Sequence, residues 1–288
     1  MNRNDLKKKL ERFIKELKYE EKSSRTLSQY KHACNLFIES IDHENDITKD
    51  DVMDFKAKII DEYKPSSVKN FITSLNKFLH YCEFGTFDRT KDKKSDLEVK
   101  QVKIQHVSSI ENVLEPQEFK RLVRFAKKIG QKDMYLIMKI FAYTGIREQE
   151  LKEFTVENIK KSVIKINSKG TLREIVLRGD LHREIKKYVK EEKIESGYIF
   201  RGVRDETKLI SAKTIWWRLK KLAGMAKIKK AKVHAHSFRH LFTLQCQEQG
   251  MTVEEIADIL GHKSTETTRI YLRSTTKMKK EKLEKLKY

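Results

Sequence analysis

The sequence predicts a mostly α-helical chain in two units, with one small β-hairpin in the second. Three observations predict it. Apolar residues recur at 3.6-residue spacing through most of the 288 residues. Only 2 prolines and 10 glycines interrupt them. One pair of short β-favouring runs, at 162–167 and 172–177, breaks the helical period. The length suits about two domains at roughly 150 residues each.

The first helix covers 5–18, with Leu6, Leu10, Phe13, Ile14 and Leu17 on one face. A second starts near Ser24 and carries Leu27, Tyr30, Cys34, Phe37, Ile38 and Ile41. A third opens at Thr48, where Asp51 three residues on makes an approximate capping box. Val52, Phe55 and Ile59 face inward from it. Pro65, with Ser66 and Ser67, starts a fourth, whose face runs from Val68 through Phe71, Ile72, Leu75, Phe78 and Leu79 to Cys82. Four such helices can share one core, so 1–85 is expected to form an all-α unit. Residues 86–110 lose the period and are polar and basic, as an inter-domain linker would be. The second unit spans 111–288. Its helices are expected at 116–128, opened by Pro116, from Met134 to Tyr143 with Gly145 at the end, and at 181–192, 212–223, 237–249 and 253–260. A Lys-rich tail follows. The residues 168–171 between the β-favouring runs suit a hairpin turn.

The charge narrows the function. Lys and Arg number 63 against 42 Asp and Glu, a surplus of +21. Such a surplus suits a polyanion, because each cation placed on a phosphate releases a condensed counterion. Solvated Lys–Glu helix faces would account for part of it. No helix pairs a basic face with a strongly apolar one, and no apolar run approaches the length of a membrane span, so a membrane partner is not expected. The start of the chain, MNRNDLKKKLERF, has no signal-peptide pattern. Cys34, Cys82 and Cys246 are widely spaced and odd in number, which argues against a disulfide framework and for a reduced, cytoplasmic setting.

Five strings in the second unit bear on chemistry: TGIREQEL (144–151), SKG (168–170), HSFRH (236–240), LGH (260–262) and TTRIY (267–271). His236 lies one turn before Arg239 on the same helix face. His262 follows Gly261, a helix C-cap in the making. With Arg147, Lys169 and Tyr271, these residues suit an anion site with a nucleophile. Guanidinium forks clamp phosphodiester oxygens, a proton donor serves the leaving oxygen, and a phenol attacks. Each has an ordinary alternative: Arg147 as the ion-pair partner of Glu150, Lys169 as a turn lysine, the histidines as half-buried hydrogen-bonding residues, and Tyr271 as core. Zinc at His234, His236 and His240 is not expected, because no fourth ligand stands at the right spacing. No phosphate loop and no carboxylate cluster for metal-dependent hydrolysis is present, so no cofactor, no metal and no small-molecule substrate are expected.

The order Arg, Lys, His-x-x-Arg, His, Tyr resembles the tyrosine recombinases of the phage integrase family. TGIREQEL resembles their first-arginine box, SKG their hairpin lysine, HSFRH their H-x-x-R box, and LGHKSTETTRIY their L-G-H…Y box. Residues 1–85 resemble their core-binding domain, with Arg25, Thr26 and Tyr30 at a helix start. The resemblance spans nearly the whole chain. Two prolines common in the family are replaced, by Ala235 and Val176, and the hairpin is about one residue shorter. Neither proline replacement removes a functional group.

The resemblance implies that Tyr271 attacks a DNA phosphate to give a 3′-phosphotyrosine while Arg147 and Arg239 hold the transition-state charge. It implies that Lys169 protonates the leaving 5′-oxygen, that His236 assists the tyrosine's proton and that His262 bonds the phosphate. Double-stranded DNA is the implied partner, with a tetramer assembled on it and the tail docked on a neighbour. In the helix at 212–223, Ile215, Leu219 and Leu222 form a buried stripe, which leaves Thr214, Trp217, Arg218 and Lys221 on another face. That face, with Lys213, is expected to meet the major groove, and Arg25, Thr26 and Lys69 to meet phosphates near helix N-termini. A DNA-binding module without catalysis, and a nicking-closing enzyme of the type IB topoisomerase kind, are the rival functions.

Overall fold

The computed structural model describes residues 1–86, 95–103, 112–168, 171–262, 264–271, 280 and 283–284, and at 167, 168, 171, 270 and 271 it describes the backbone only. These fall into two compact units, Met1–His106 and Val107–Tyr288.

The first unit is four helices: α1 (Arg3–Tyr19), α2 (Ser24–Ser40), α3 (Lys49–Glu62) and α4 (Pro65–Phe84). Their starts follow from side-chain caps. Asn2 and Asp5 form a capping box on α1, Ser23 caps α2, and Thr48 with Asp51 closes the box on α3. Pro65 opens α4, where its missing N–H costs nothing. The core is the apolar faces of all four, with Phe13 edge-on to Phe78 at 5.3 Å and Phe37 to Phe55 at 5.4 Å.

The segment after α4 departs from a free linker. Val99 is buried, and the side chain of Asn76 on α4 pairs with its backbone as a strand would. Asn76 Nδ2 donates to the Val99 carbonyl at 2.8 Å, and Val99 N–H donates to Asn76 Oδ1 at 3.1 Å. Lys49 donates to the carbonyls of Asp96 and Glu98, and Lys56 to that of Lys100 at 2.9 Å. Residues 95–102 are thus a strap on the first unit. The remainder of 86–110, from 87 to 94 and from 104 to 110, lies outside the described residues.

The second unit contains α5 (Pro116–Lys128), α6 (Lys132–Thr144), a 3₁₀ turn (Glu148–Glu153) and strands β1 (Val163–Ser168) and β2 (Thr171–Val176). Then come α7 (Gly179–Glu191), α8 (Ala212–Met225), α9 (Ala235–Glu248), α10 (Val253–Leu260) and α11 (Thr265–Tyr271). α6 is buried almost all round, as a central helix must be. The strands pair antiparallel, from Val163↔Val176 to Ser168↔Thr171. Ile164, Ile166 and Ile175 face the core, and the register that sets Arg173 opposite Ile166 turns Arg173 inward with them. Leu172 and Val176 are exposed on the other face. Among the described residues, no helix is long and apolar enough to cross a membrane.

Candidate active site

Helix ends build the site. α6 stops at Gly145, whose φ of 61° is left-handed. A Cβ there would lie 2.5 Å from Phe242 Cδ1 and 2.7 Å from Leu260 Cδ2, so only glycine fits the turn. The chain then buries Ile146 and presents Arg147 at the head of the 3₁₀ turn. α10 stops in the same way at Gly261, which delivers His262. α9 brings Arg239 to the same place from a third direction.

Arg239 is 1% exposed. Its NH1 donates to the Gly145 carbonyl at 2.5 Å and its NH2 to the Leu260 carbonyl at 2.9 Å, so it touches the ends of both α6 and α10. NH2 also lies 2.7 Å from His262 Nε2. A guanidinium only donates, so Nε2 must accept, which places the imidazole proton on Nδ1. From there it donates to Thr268 Oγ1, at 2.7 Å, on fully buried Thr268 of α11. Burial and the charges of Arg239, Arg147 and Arg173 push the His262 pKa down to about 4, with Glu150 opposing. His262 is therefore neutral near pH 7.

Arg147 is oriented by Glu150, which is buried. Glu150 Oε2 accepts from the Arg147 backbone N–H at 2.7 Å, and Oε1 accepts from NH1 at 3.1 Å. Arg147 NH2 points toward the Gly261 carbonyl at 3.5 Å. Arg173 closes the other side of the carboxylate. Its NH2 donates to Glu150 Oε2 at 2.5 Å and its NH1 to the Ile259 carbonyl. His236 is an exposed residue at the N-terminal end of α9. Desolvation of its ring, then the charges of Arg239 and Arg147, hold its pKa below the usual imidazole value.

Arg147, Arg239 and His262 are thus gathered at one locus, and His236 is within electrostatic reach of both arginines. Lys169 lies outside the described residues. Tyr271 ends α11 by its backbone, and its side chain lies outside them too. The tail is outside them except for residues 280, 283 and 284. Glu150, Arg173 and Thr268 are the additions. For Glu150 the signal was its ion-pair spacing from Arg147. For Arg173 the strand's own residues leave the buried face open, and only the pairing with Ile166 turns it inward. Nothing in the sequence singles out Thr268. His234 is an N-cap, accepting the Ser237 N–H at 3.2 Å. Among the described residues, no three His, Cys, Asp or Glu side chains cluster as a metal site.

The candidate DNA contacts divide. Arg25 and Lys213 are exposed in the first turns of α2 and α8, and Lys69 is exposed just past the first turn of α4. Thr26 and Thr214 share hydrogen bonds of 2.8 Å with the cap residues Ser23 and Ser211. Arg218 departs from the expectation. Its fork grips Asp133, with NH2 2.7 Å from Oδ1, so the side chain serves α6 rather than an outward face. Trp216 and Trp217 are more than half exposed on α8, with Lys220 and Lys221 lying 5.7 and 5.3 Å over their rings.

Comparison with known proteins gives the family and the fold. Residues 112–278 match the Phage integrase family. The chain belongs to that family. The tyrosine recombinase XerA of Pyrococcus furiosus is 28% identical over 281 residues, covering 96% of this chain and 93% of the relative. Two solved structures share the fold of this integrase-family chain. XerH recombinase bound to its difH substrate, in a pre-cleavage complex, has a TM-score of 0.70, 19% identity and coverage of 92% and 81%. A lambda integrase tetramer bound to a Holliday junction has a TM-score of 0.72, 18% identity and coverage of 92% and 76%.

Proposed function

We propose that this integrase-family chain is a site-specific DNA recombinase that cuts and rejoins double-stranded DNA through a 3′-phosphotyrosine. The carrying observation is the convergence of Arg147, Arg239 and His262 on the junction of Gly145 and Gly261, one short helix before Tyr271. Two guanidinium groups aimed at one locus can hold the equatorial oxygens of a pentavalent phosphorus. Tyr271 Oη would bond to phosphorus as the bond to the 5′-oxygen breaks, with Lys169 giving that oxygen its proton. The phenol's proton would pass to His236, whose ring is biased toward its neutral form by desolvation and by the charges of Arg239 and Arg147. A 5′-hydroxyl from a partner strand then reverses the step. Ester is exchanged for ester, so the reaction needs no nucleotide and no metal. A tetramer on DNA, like the lambda integrase tetramer on a Holliday junction, would supply the partner strands, and the cytoplasm is the proposed setting.

The test is covalent capture. A pool of nicked duplexes with a randomised core is incubated with the chain, and DNA that stays attached through denaturation is sequenced. Wild type should recover one sequence, and Tyr271→Phe none. Arg239→Ala should slow capture by about 100-fold or more. Retarded but never attached DNA would establish a binding module instead. Plasmid relaxation without strand exchange between two recovered sites would establish a nicking-closing enzyme.

A further inference from the structure

The Arg147–Glu150–Arg173 triad raises a question of charge. Glu150 holds Arg147 by two hydrogen bonds, which fixes the guanidinium. A one-to-one pair of partly exposed Arg147 with buried Glu150 is neutral, however, and a neutral pair would do little for a phosphate. The second cation resolves this. Arg173 takes Glu150 Oε2, so the group of three carries a net positive charge while Arg147 stays oriented.

Arg173 is a costly way to fill that position. It is 8% exposed, on the inward face of β2 opposite Ile166. Its Nε is buried and finds no hydrogen-bond partner among the described residues. Buried ion pairs and triads often lose nothing in stability when apolar side chains replace them, and an apolar residue would fit the face Arg173 shares with Ile164, Ile166 and Ile175. Stability therefore does not explain the residue. Its contacts bear on the site. It donates to the Ile259 carbonyl and to Glu150, and it passes beneath the turn that carries His262. A Cβ on Gly261 would come within 2.5 Å of Arg173 Cδ.

We propose that Arg173 is a positioning residue that balances the charge of Glu150, so that Glu150 can orient Arg147 without cancelling it. The inference rests on the strand-transfer reading above. It predicts that Arg173 matters in proportion to the negative charge on the scissile phosphate, which a purely structural role would not.

The experiment measures the rate of covalent adduct formation on the nicked duplex that wild type recovers from the randomised pool. A second duplex carries a methylphosphonate at the scissile position, where a neutral methyl replaces one charged oxygen. Arg173→Met should slow adduct formation on the phosphodiester on the order of 100-fold, and on the methylphosphonate by only a few-fold. Arg173→Lys keeps the charge but cannot bridge Glu150 and the Ile259 carbonyl with one fork, so it should lose less than Arg173→Met on the phosphodiester without reaching wild type. The double variant Glu150→Gln with Arg173→Met should recover roughly tenfold over Arg173→Met, because the uncompensated carboxylate is gone. Near-ultraviolet circular dichroism checks that each variant is folded. Should Arg173→Met not fold, Arg173→Gln, which also removes the charge, takes its place in the same comparison of substrates. Equal losses on both duplexes, with no recovery in the double variant, would overturn the proposal and leave the recombinase reading intact. No adduct from wild type on any duplex would overturn both.

Discussion

The neutral state of His262 has a consequence for stability that can be measured without DNA. In the unfolded chain an imidazole titrates near 6.5, whereas in the folded chain burial and three arginines hold it to about 4. Between those values the unfolded state binds a proton that the folded state refuses. The contribution is therefore complete above pH 6.5 and is lost as the pH falls toward 4. At about 1.4 kcal/mol per pH unit, and allowing for partial titration at each end, moving from about pH 7 to about pH 4.5 costs roughly 2 kcal/mol through this one ring. His262→Gln keeps an acceptor for Arg239 and a donor for Thr268 but does not titrate. Urea unfolding followed by tryptophan fluorescence isolates the second unit, since Trp216 and Trp217 are the only tryptophans and both lie there. The variant should lose about 2 kcal/mol less than wild type over that interval. Equal losses in the two chains would refute the claim that the fold keeps this histidine uncharged. Under the recombinase reading a phosphate would come close to this ring and favour the cation, so the His262 pKa should rise on DNA binding.

Three further expectations follow from the packing. Gly145→Ala should cost about 2–4 kcal/mol in urea unfolding, since it meets Phe242 and Leu260 and keeps a left-handed φ, while Gly130→Ala, also left-handed but in open space, should cost about 1 kcal/mol. Asn76→Leu should leave Val99 without its side-chain partners, costing about 2 kcal/mol and raising amide exchange at Val99 on the order of tenfold or more in hydrogen-exchange mass spectrometry. Arg218→Met should lower stability by about 1–2 kcal/mol and leave the recovered DNA sequence unchanged, whereas Lys213→Ala should weaken DNA binding and reduce its logarithmic salt slope by about one.

Local chemistry was legible wherever one residue dictates one conformation. Thr48 with Asp51, Pro65, Pro116 and Gly145 announce helix ends, and each sits where its chemistry requires. The spacing of His236 and Arg239 likewise put both on one side of α9. What escaped depends on partners distant in the chain. Arg218 lies 85 residues from Asp133, and no period links them. Residues 95–102 bind through side-chain bonds to their backbone, which leaves no apolar repeat to read. Arg173 was obscured because Leu172, Ile175, Val176 and Leu177 allow either strand face to be the buried one, and only the pairing with Ile166 decides. Residues that hold the site together are thus less visible than those expected to meet DNA.

The two carbonyls on Arg239 come from the last turns of two separate helices, α6 and α10. Helix C-termini carry the negative pole of the peptide macrodipole, so both poles converge on a single cation. The guanidinium is thereby held in one orientation, so an anion that reaches it meets a group with little rotation left to lose. Lengthening or fraying either helix would detune the site from a distance, even with every reactive side chain intact.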